Sequence, residues 1–194
     1  MANVREHIDE SSRVISSLAH RTKEISEILK AIESSLNAGG KLIVLGNGGS
    51  AAQAQHVAAE LVVRFRNDRR TLPAIALTTD TSILTAMAND YGFEYVFSRP
   101  LEALADSGDV VLALSTSGNS PNVLKAVEKA RELGIVTVAL LGRGGGQLKG
   151  KADIELIVDS DATERIQEAH LLILHIIADT VESGFIRSRG LLEE

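Results

Sequence analysis

The sequence predicts an α/β fold built on a doubly wound five-stranded parallel sheet flanked by helices, on three observations. Five short, nearly all-apolar runs recur along the chain, and strands of that composition are covered on both faces. Stretches with helical spacing separate them, and alternating strands and helices argue a parallel sheet. The 194 residues, 44% hydrophobic, suffice for one domain with a real core.

Each element has its own warrant. From about Asn3 to Leu36, apolar residues such as Ile8, Val14, Leu18, Ile25, Ile28 and Ile32 recur at steps of three and four among charges, as in one or two amphipathic helices. Asn37-Ala-Gly-Gly40 ends them with the glycines that helix C-termini favour. Lys41 to Leu45 reads as the first strand, followed by Gly46-Asn-Gly-Gly-Ser50 and a helix from Ala51 to Phe65. Pro73 to Thr78 reads as the second strand and Ser82 to Ala88 as its helix. Asp109 to Ser115 is the third strand, with a helix over Asn122 to Leu133. Ile135 to Leu141 and Ile154 to Val158 are the fourth and fifth, and a long helix covers about Ala162 to Ile186. Gly142 to Gly146 reads as a turn. Periodicity does not give the strand order. In such sheets ligands sit at the carboxyl ends of the strands near the topological switch, so the loops after Leu45, Thr78 and Ser115 are the informative ones.

Composition narrows the function classes. Net charge is −6 and no basic block stands out, which argues against nucleic acid as a direct ligand. An anionic substrate must therefore be held by local donors. The absence of cysteine excludes disulfides and a thiolate metal site. The charged N-terminus has no signal-peptide core, and the apolar runs read as far short of a membrane span. A soluble cytoplasmic protein with no membrane partner is the expectation.

Three motifs could carry chemistry. Ser115-Thr-Ser-Gly-Asn-Ser-Pro121 follows a strand and opens a helix. Pro121 suits the first helical position, which makes Ser120 the N-cap. Backbone N–H groups there attract anions, and the hydroxyls of Ser115, Thr116, Ser117 and Ser120 add neutral donors for a phosphate. The simpler reading is a capped turn. No G-K-[ST] follows, so this is not a Walker loop. In Gly46-Asn-Gly-Gly-Ser50 the glycines permit close backbone approach or a tight turn, with Ser50 as the expected cap of the next helix. It does not fit a dinucleotide fingerprint.

The third motif is polar residues on otherwise apolar helices. His56 and Glu60 share one helical face at a spacing of four, and Gln167 and His175 lie two turns apart on the last helix. Burying ionisable groups costs free energy unless something compensates. One divalent ion held by all four would compensate, and nitrogen and carboxylate donors without sulfur suit zinc among others. A salt bridge or satisfied core histidine would serve equally well on spacing alone. His170, offset from the other two, reads as structural. Arg64 and Arg66 could meet an acidic or polyhydroxy ligand, or act as helix-end partners. Asn89-Asp90 could bind hydroxyls or form an ordinary turn.

Together, L-G-N-G-G-S-A-A-Q-A-Q-H-V-A-A-E-L, A-N-D-Y-G-F, S-T-S-G-N-S-P-N-V and E-R-I-Q-E-A-H-L-L-I-L-H resemble the phosphoheptose isomerases of the sugar-isomerase (SIS) domain superfamily. The resemblance covers almost the whole chain except Asp159 to Glu164. It implies a single SIS domain over 1–194, a homotetramer with sites at subunit interfaces, and use of the 1–38 helices in oligomerisation. It implies one zinc ion per subunit on His56, Glu60, Gln167 and His175. Substrate contacts would map to Asn47, Gly48, Gly49, Glu60, Asn89, Asp90, Ser115, Thr116, Ser117, Ser120 and Gln167. The implied reaction converts the phosphorylated ketose sedoheptulose 7-phosphate to D-glycero-D-manno-heptose 7-phosphate, the first step toward nucleotide-activated heptoses of the lipopolysaccharide core or other heptosylated glycans. Glu60 and His175 would be its acid/base pair. The competing expectation is a non-catalytic SIS tetramer that binds the replication initiator; a sugar-phosphate sensor or an isomerase of shorter sugars is a further one.

Overall fold

The computed structural model describes residues 3–188; residues 1–2 and 189–194 of the expected 1–194 domain lie outside them. The chain runs through α1 (Val4–Ser17), a 3-10 turn at Leu18–Arg21, α2 (Thr22–Asn37), β1 (Leu42–Gly46), α3 (Gly49–Val62), β2 (Ala74–Ala76) and α4 (Thr81–Asp90). It continues through a 3-10 turn at Phe93–Tyr95, α5 (Ser98–Leu104), β3 (Val110–Ser115), α6 (Pro121–Glu132), β4 (Val136–Leu141), a 3-10 segment at Arg143–Leu148, β5 (Ile154–Ile157) and α7 (Thr163–Ser188).

The five strands form one all-parallel sheet in the order β2-β1-β3-β4-β5. The chain reverses direction across the sheet between β1 and β3. The loops leaving those two strands therefore diverge at the switch, where open α/β sheets bind ligands.

Strand side chains alternate between two apolar layers. Leu42, Val44, Leu112, Leu114, Val138 and Leu140 pack with Ile28, Ile32, Leu61, Ile173 and Ile177 of α2, α3 and α7. Ile43, Leu45, Val111, Ala113, Ala139 and Leu141 pack with Phe97, Leu101, Val123 and Val127 on the α5–α6 side. Each fully buried side chain of this size contributes about 1.5–3 kcal/mol relative to exposure.

One difference from the sequence reading lies in α7. Thr163–Arg187, with mean hydropathy 1.4, is long and apolar enough to cross a membrane by length and composition. Ile166, Ala169, Ile173, Leu174, Ile177 and Ala178 explain that composition, because they are buried in the core. Uninterrupted apolar runs in this helix stay short because His170 and His175 break them. A second difference lies between Tyr91 and Gly108, where the sequence reading places no element and the structure forms α5. Its seven residues, with Pro100 among them, are too few to show a period.

Candidate active site

Two helices from distant parts of the chain meet beside the β1 loop. Gly48, at φ +54°, turns the chain into α3. Gly49 follows against the side-chain amide of Gln167 on α7, and a Cβ there would overlap that amide. The glycine is what lets the two helices approach. Gln53, one turn on, donates from Nε2 to the Gln167 carbonyl at 2.7 Å. Ser50 does not cap α3, as the sequence suggested. It sits inside the first turn and is buried, because the positive φ of Gly48 starts the helix two residues earlier.

This approach brings His56 and His175 together, Nε2 to Nε2 at 3.0 Å, with ring centroids 5.2 Å apart in an edge-on arrangement. Two imidazole nitrogens at that distance can share one proton or one cation. Glu60 Oε1 lies 3.6 Å from His56 Nε2. The Glu60 carboxylate is only 21% exposed, yet among the described residues it accepts no hydrogen bond. Phe65, just beyond α3, stacks on the His175 ring at 27° and 5.9 Å. A carboxylate held beside two imidazoles is placed to exchange a proton or to join them on a cation.

Among the described residues, no three His, Cys, Asp or Glu side chains converge as a metal-binding group. The donor chemistry nevertheless fits one. Donor atoms on a tetrahedral zinc lie roughly 3.3 Å apart, and the two contacts made by His56 Nε2 bracket that value at 3.0 and 3.6 Å. Gln167 sits two helical turns before His175, against Gly49, and its amide has no hydrogen-bond partner among the described residues. Among the described residues, no hydrogen bond joins that amide to the imidazoles.

The loop after β3 forms the second part of the site. Ser115 Oγ accepts from Gly118 N at 3.1 Å, and Ser117 Oγ accepts from Asn119 N at 3.2 Å. Ser120 holds the N-cap position of α6 with Pro121 behind it, but its side chain makes no cap hydrogen bond. Among the described residues the Thr116 and Ser120 hydroxyls have no partner, so both are available to an anion. A glycine-rich support lies beneath. Gly118, at φ +63°, packs on the Gly145 carbonyl where a Cβ would not fit, and Leu148 N donates to Gly118 O at 3.0 Å. Asn119 Oδ1 accepts from Gln147 N at 3.0 Å while its Nδ2 donates to Ser117 O at 3.1 Å.

The two loops are stitched together by residues of which sequence reasoning singled out only one. Asn47 and Asn122 exchange reciprocal amide hydrogen bonds, each 2.8 Å. Asn122 is buried and also accepts from Val123 N at 3.0 Å. Asn119 and Asn122 carried a signal only as polar residues beside a capped helix start. Asn89 and Asp90 close α4, where Asn89 Nδ2 donates to Asp90 Oδ1 at 2.7 Å. No described hydrogen bond ties them to the imidazoles.

The remaining candidates each have a partner within the chain. His170 is fully buried and bonds through Nε2 to the Leu141 carbonyl at 3.2 Å. Burial pushes its pKa down from 6.5 to about 4. Arg66 pairs with Asp179 at 3.2 Å and lies over the Phe65 ring, while Arg64 Nη1 donates to the Arg66 carbonyl.

This fold and site define a class. Residues 6–142 match the model of the SIS domain, so the chain is a SIS-domain protein. A phosphoheptose isomerase of Geobacter metallireducens is 53% identical over 187 residues, covering 96% of this chain and 97% of the relative. One from Geobacter sp. strain M21 is 60% identical over 163 residues, covering 80% and 85%. The solved structure of a phosphoheptose isomerase from Francisella tularensis superposes with TM-score 0.90 at 39% identity, covering 93% of this chain and 96% of that one. The chain belongs to the phosphoheptose isomerase family, and with it to the isomerases.

Proposed function

We propose that this protein interconverts sedoheptulose 7-phosphate and D-glycero-D-manno-heptose 7-phosphate through an enediol. The observation that carries the reading is the meeting of His56, Glu60 and His175 beside a loop of neutral phosphate donors. Glu60 removes a proton from C1 of the open-chain ketose, while His175 delivers a proton to the C2 oxygen, giving the enediol. Glu60 then returns its proton to C2 and His175 takes the O1 proton, which leaves the aldehyde at C1. Geometry and pKa matching make such steps worth about 10²–10⁴-fold each.

Thr116, Ser117 and Ser120, with the start of α6, hold the phosphate. Binding energy at that remote end positions the reacting carbons. His56, Glu60 and His175, with Gln167 as the fourth donor, are the residues that would hold a zinc ion, one per subunit. When bound, zinc polarises the carbonyl as a Lewis acid. Asn47, Gly48, Gly49, Asn89 and Asp90 complete the sugar contacts.

Oligomerisation through the N-terminal helices is part of the same reading. Val4 and Ile8, four apart on α1, are exposed apolar residues that a homotetramer would cover. A cytoplasmic location and a role in supplying heptose for lipopolysaccharide core accord with it. Incubating the purified protein with C5, C6 and C7 ketose phosphates tests the substrate. The heptulose phosphate should turn over fastest, and preference for a pentulose phosphate would overturn the assignment.

A further inference from the structure

Glu182 is 1% exposed and follows His175 by seven residues, so the two lie on one side of α7 two turns apart. Its carboxylate gathers donors from a single stretch, the chain leaving α3. Oε1 accepts from Phe65 N at 2.9 Å and Arg69 Nε at 3.1 Å. Oε2 accepts from Arg66 N and Asn67 N, each at 2.9 Å, and from Asn67 Nδ2 at 3.1 Å. Three consecutive backbone N–H groups thus form a nest around one anion. Burial alone would raise the Glu182 carboxyl, but the donors of Asn67, Phe65 and Arg66 outweigh it and hold it below the usual carboxylate range.

Arg69 carries the contact onward. Its side chain is fully buried against Glu182. Nη2 donates to the Glu60 carbonyl at 2.9 Å and Nη1 to the Leu61 carbonyl at 2.8 Å, satisfying orphan carbonyls of the last turn of α3. The other arm is Phe65, whose backbone N–H is held by Glu182 while its ring lies on His175.

We propose that Glu182 is a positioning residue for the reaction: through Arg69 it fixes the turn bearing Glu60, and through Phe65 it fixes the His175 ring. One buried carboxylate thereby sets the relative placement of the two acid/base groups. The carboxylate satisfies three backbone N–H groups and the Arg69 guanidinium that would otherwise lack an acceptor. The same bonds give the chain leaving α3 one defined geometry against α7. The proposal rests on the roles given above to Glu60 and His175.

The test is Glu182→Gln in the full chain, which keeps the side-chain shape but turns one acceptor into a donor facing donors. Glu60→Gln is measured beside it. For folded Glu182→Gln, with native circular dichroism, kcat should fall about 30-fold while KM stays within about threefold. The His175 ring signal in ¹³C-histidine NMR should shift or broaden in the metal-free protein. Wild-type kcat in folded Glu182→Gln, beside an inactive Glu60→Gln, overturns the positioning role alone. Wild-type turnover by Glu60→Gln overturns the acid/base assignment and this proposal with it. Should Glu182→Gln not fold, Phe65→Leu and Arg69→Lys take its place. Each should lower kcat at little-changed KM, and unchanged kcat in both rejects the proposal.

Discussion

Nε2 of His56 and Nε2 of His175 face one another at 3.0 Å across 119 residues of chain. Their lone pairs would repel unless a proton or a cation lay between them. A divalent ion would be the stronger of these two ties, because it would also engage the Glu60 carboxylate 3.6 Å from the first imidazole. The protein should therefore retain zinc through dialysis at close to one ion per chain, and His175→Ala should lose most of it. Elemental analysis checks both. Full turnover in the presence of excess chelator would end the metal reading.

Among the described residues, no hydrogen-bond donor reaches the Glu60 carboxylate. Replacing it with Gln preserves shape and removes the base, so Glu60→Gln should fold normally and bind sugar phosphate. Its kcat should drop by about 10²–10⁴-fold. Turnover and ligand affinity measured separately distinguish this from a binding defect.

The Asn47–Asn122 exchange joins the two ligand loops. Truncating buried Asn122 to Ala leaves the Asn47 amide and Val123 N without their partner. The cost should be about 1–3 kcal/mol of stability, read as a lower urea midpoint. The apparent affinity for substrate should fall as well, because the phosphate loop loses its tie to the glycine loop. An unchanged midpoint with unchanged KM would falsify that coupling.

His170 gives a pH dependence whose sign is fixed. Its folded pKa, about 4, lies below the ordinary 6.5, so between those values the unfolded chain binds the extra proton. Stability is fully present above pH 6.5, falls as pH drops toward 4, and loses up to roughly 3 kcal/mol there. His170→Gln keeps a donor for the Leu141 carbonyl without the titration. Its urea midpoint should fall less than that of the wild type between pH 7 and pH 4.5; an equal fall would assign the acid sensitivity elsewhere.

The sequence made much of this legible, for local reasons. Strand runs such as Val110 to Ser115 are apolar on both faces because both faces are covered. Pro121 marked the start of α6 because its fixed φ and missing N–H suit that position. The His56–Glu60 spacing put an imidazole and a carboxylate on one face without any tertiary knowledge. What stayed hidden depends on partners far along the chain. Glu182 reads as one more charge near the end of a helix, and its donors lie 113 to 117 residues away. Asn122 looks like a first-turn polar residue until Asn47, 75 residues earlier, closes on it. The β2-β1-β3 order cannot be read at all from a period, which reports faces and not neighbours.

The placement of the two imidazoles on the third and the final helix has a consequence for biosynthesis. An emerging polypeptide carries Glu60, its glycine turn and its serine loop long before the last helix has left the ribosome. Until that helix docks, Glu60 and His56 stand without His175 beside them. A chain terminated before the last helix would therefore keep one half of this pairing and lack the other.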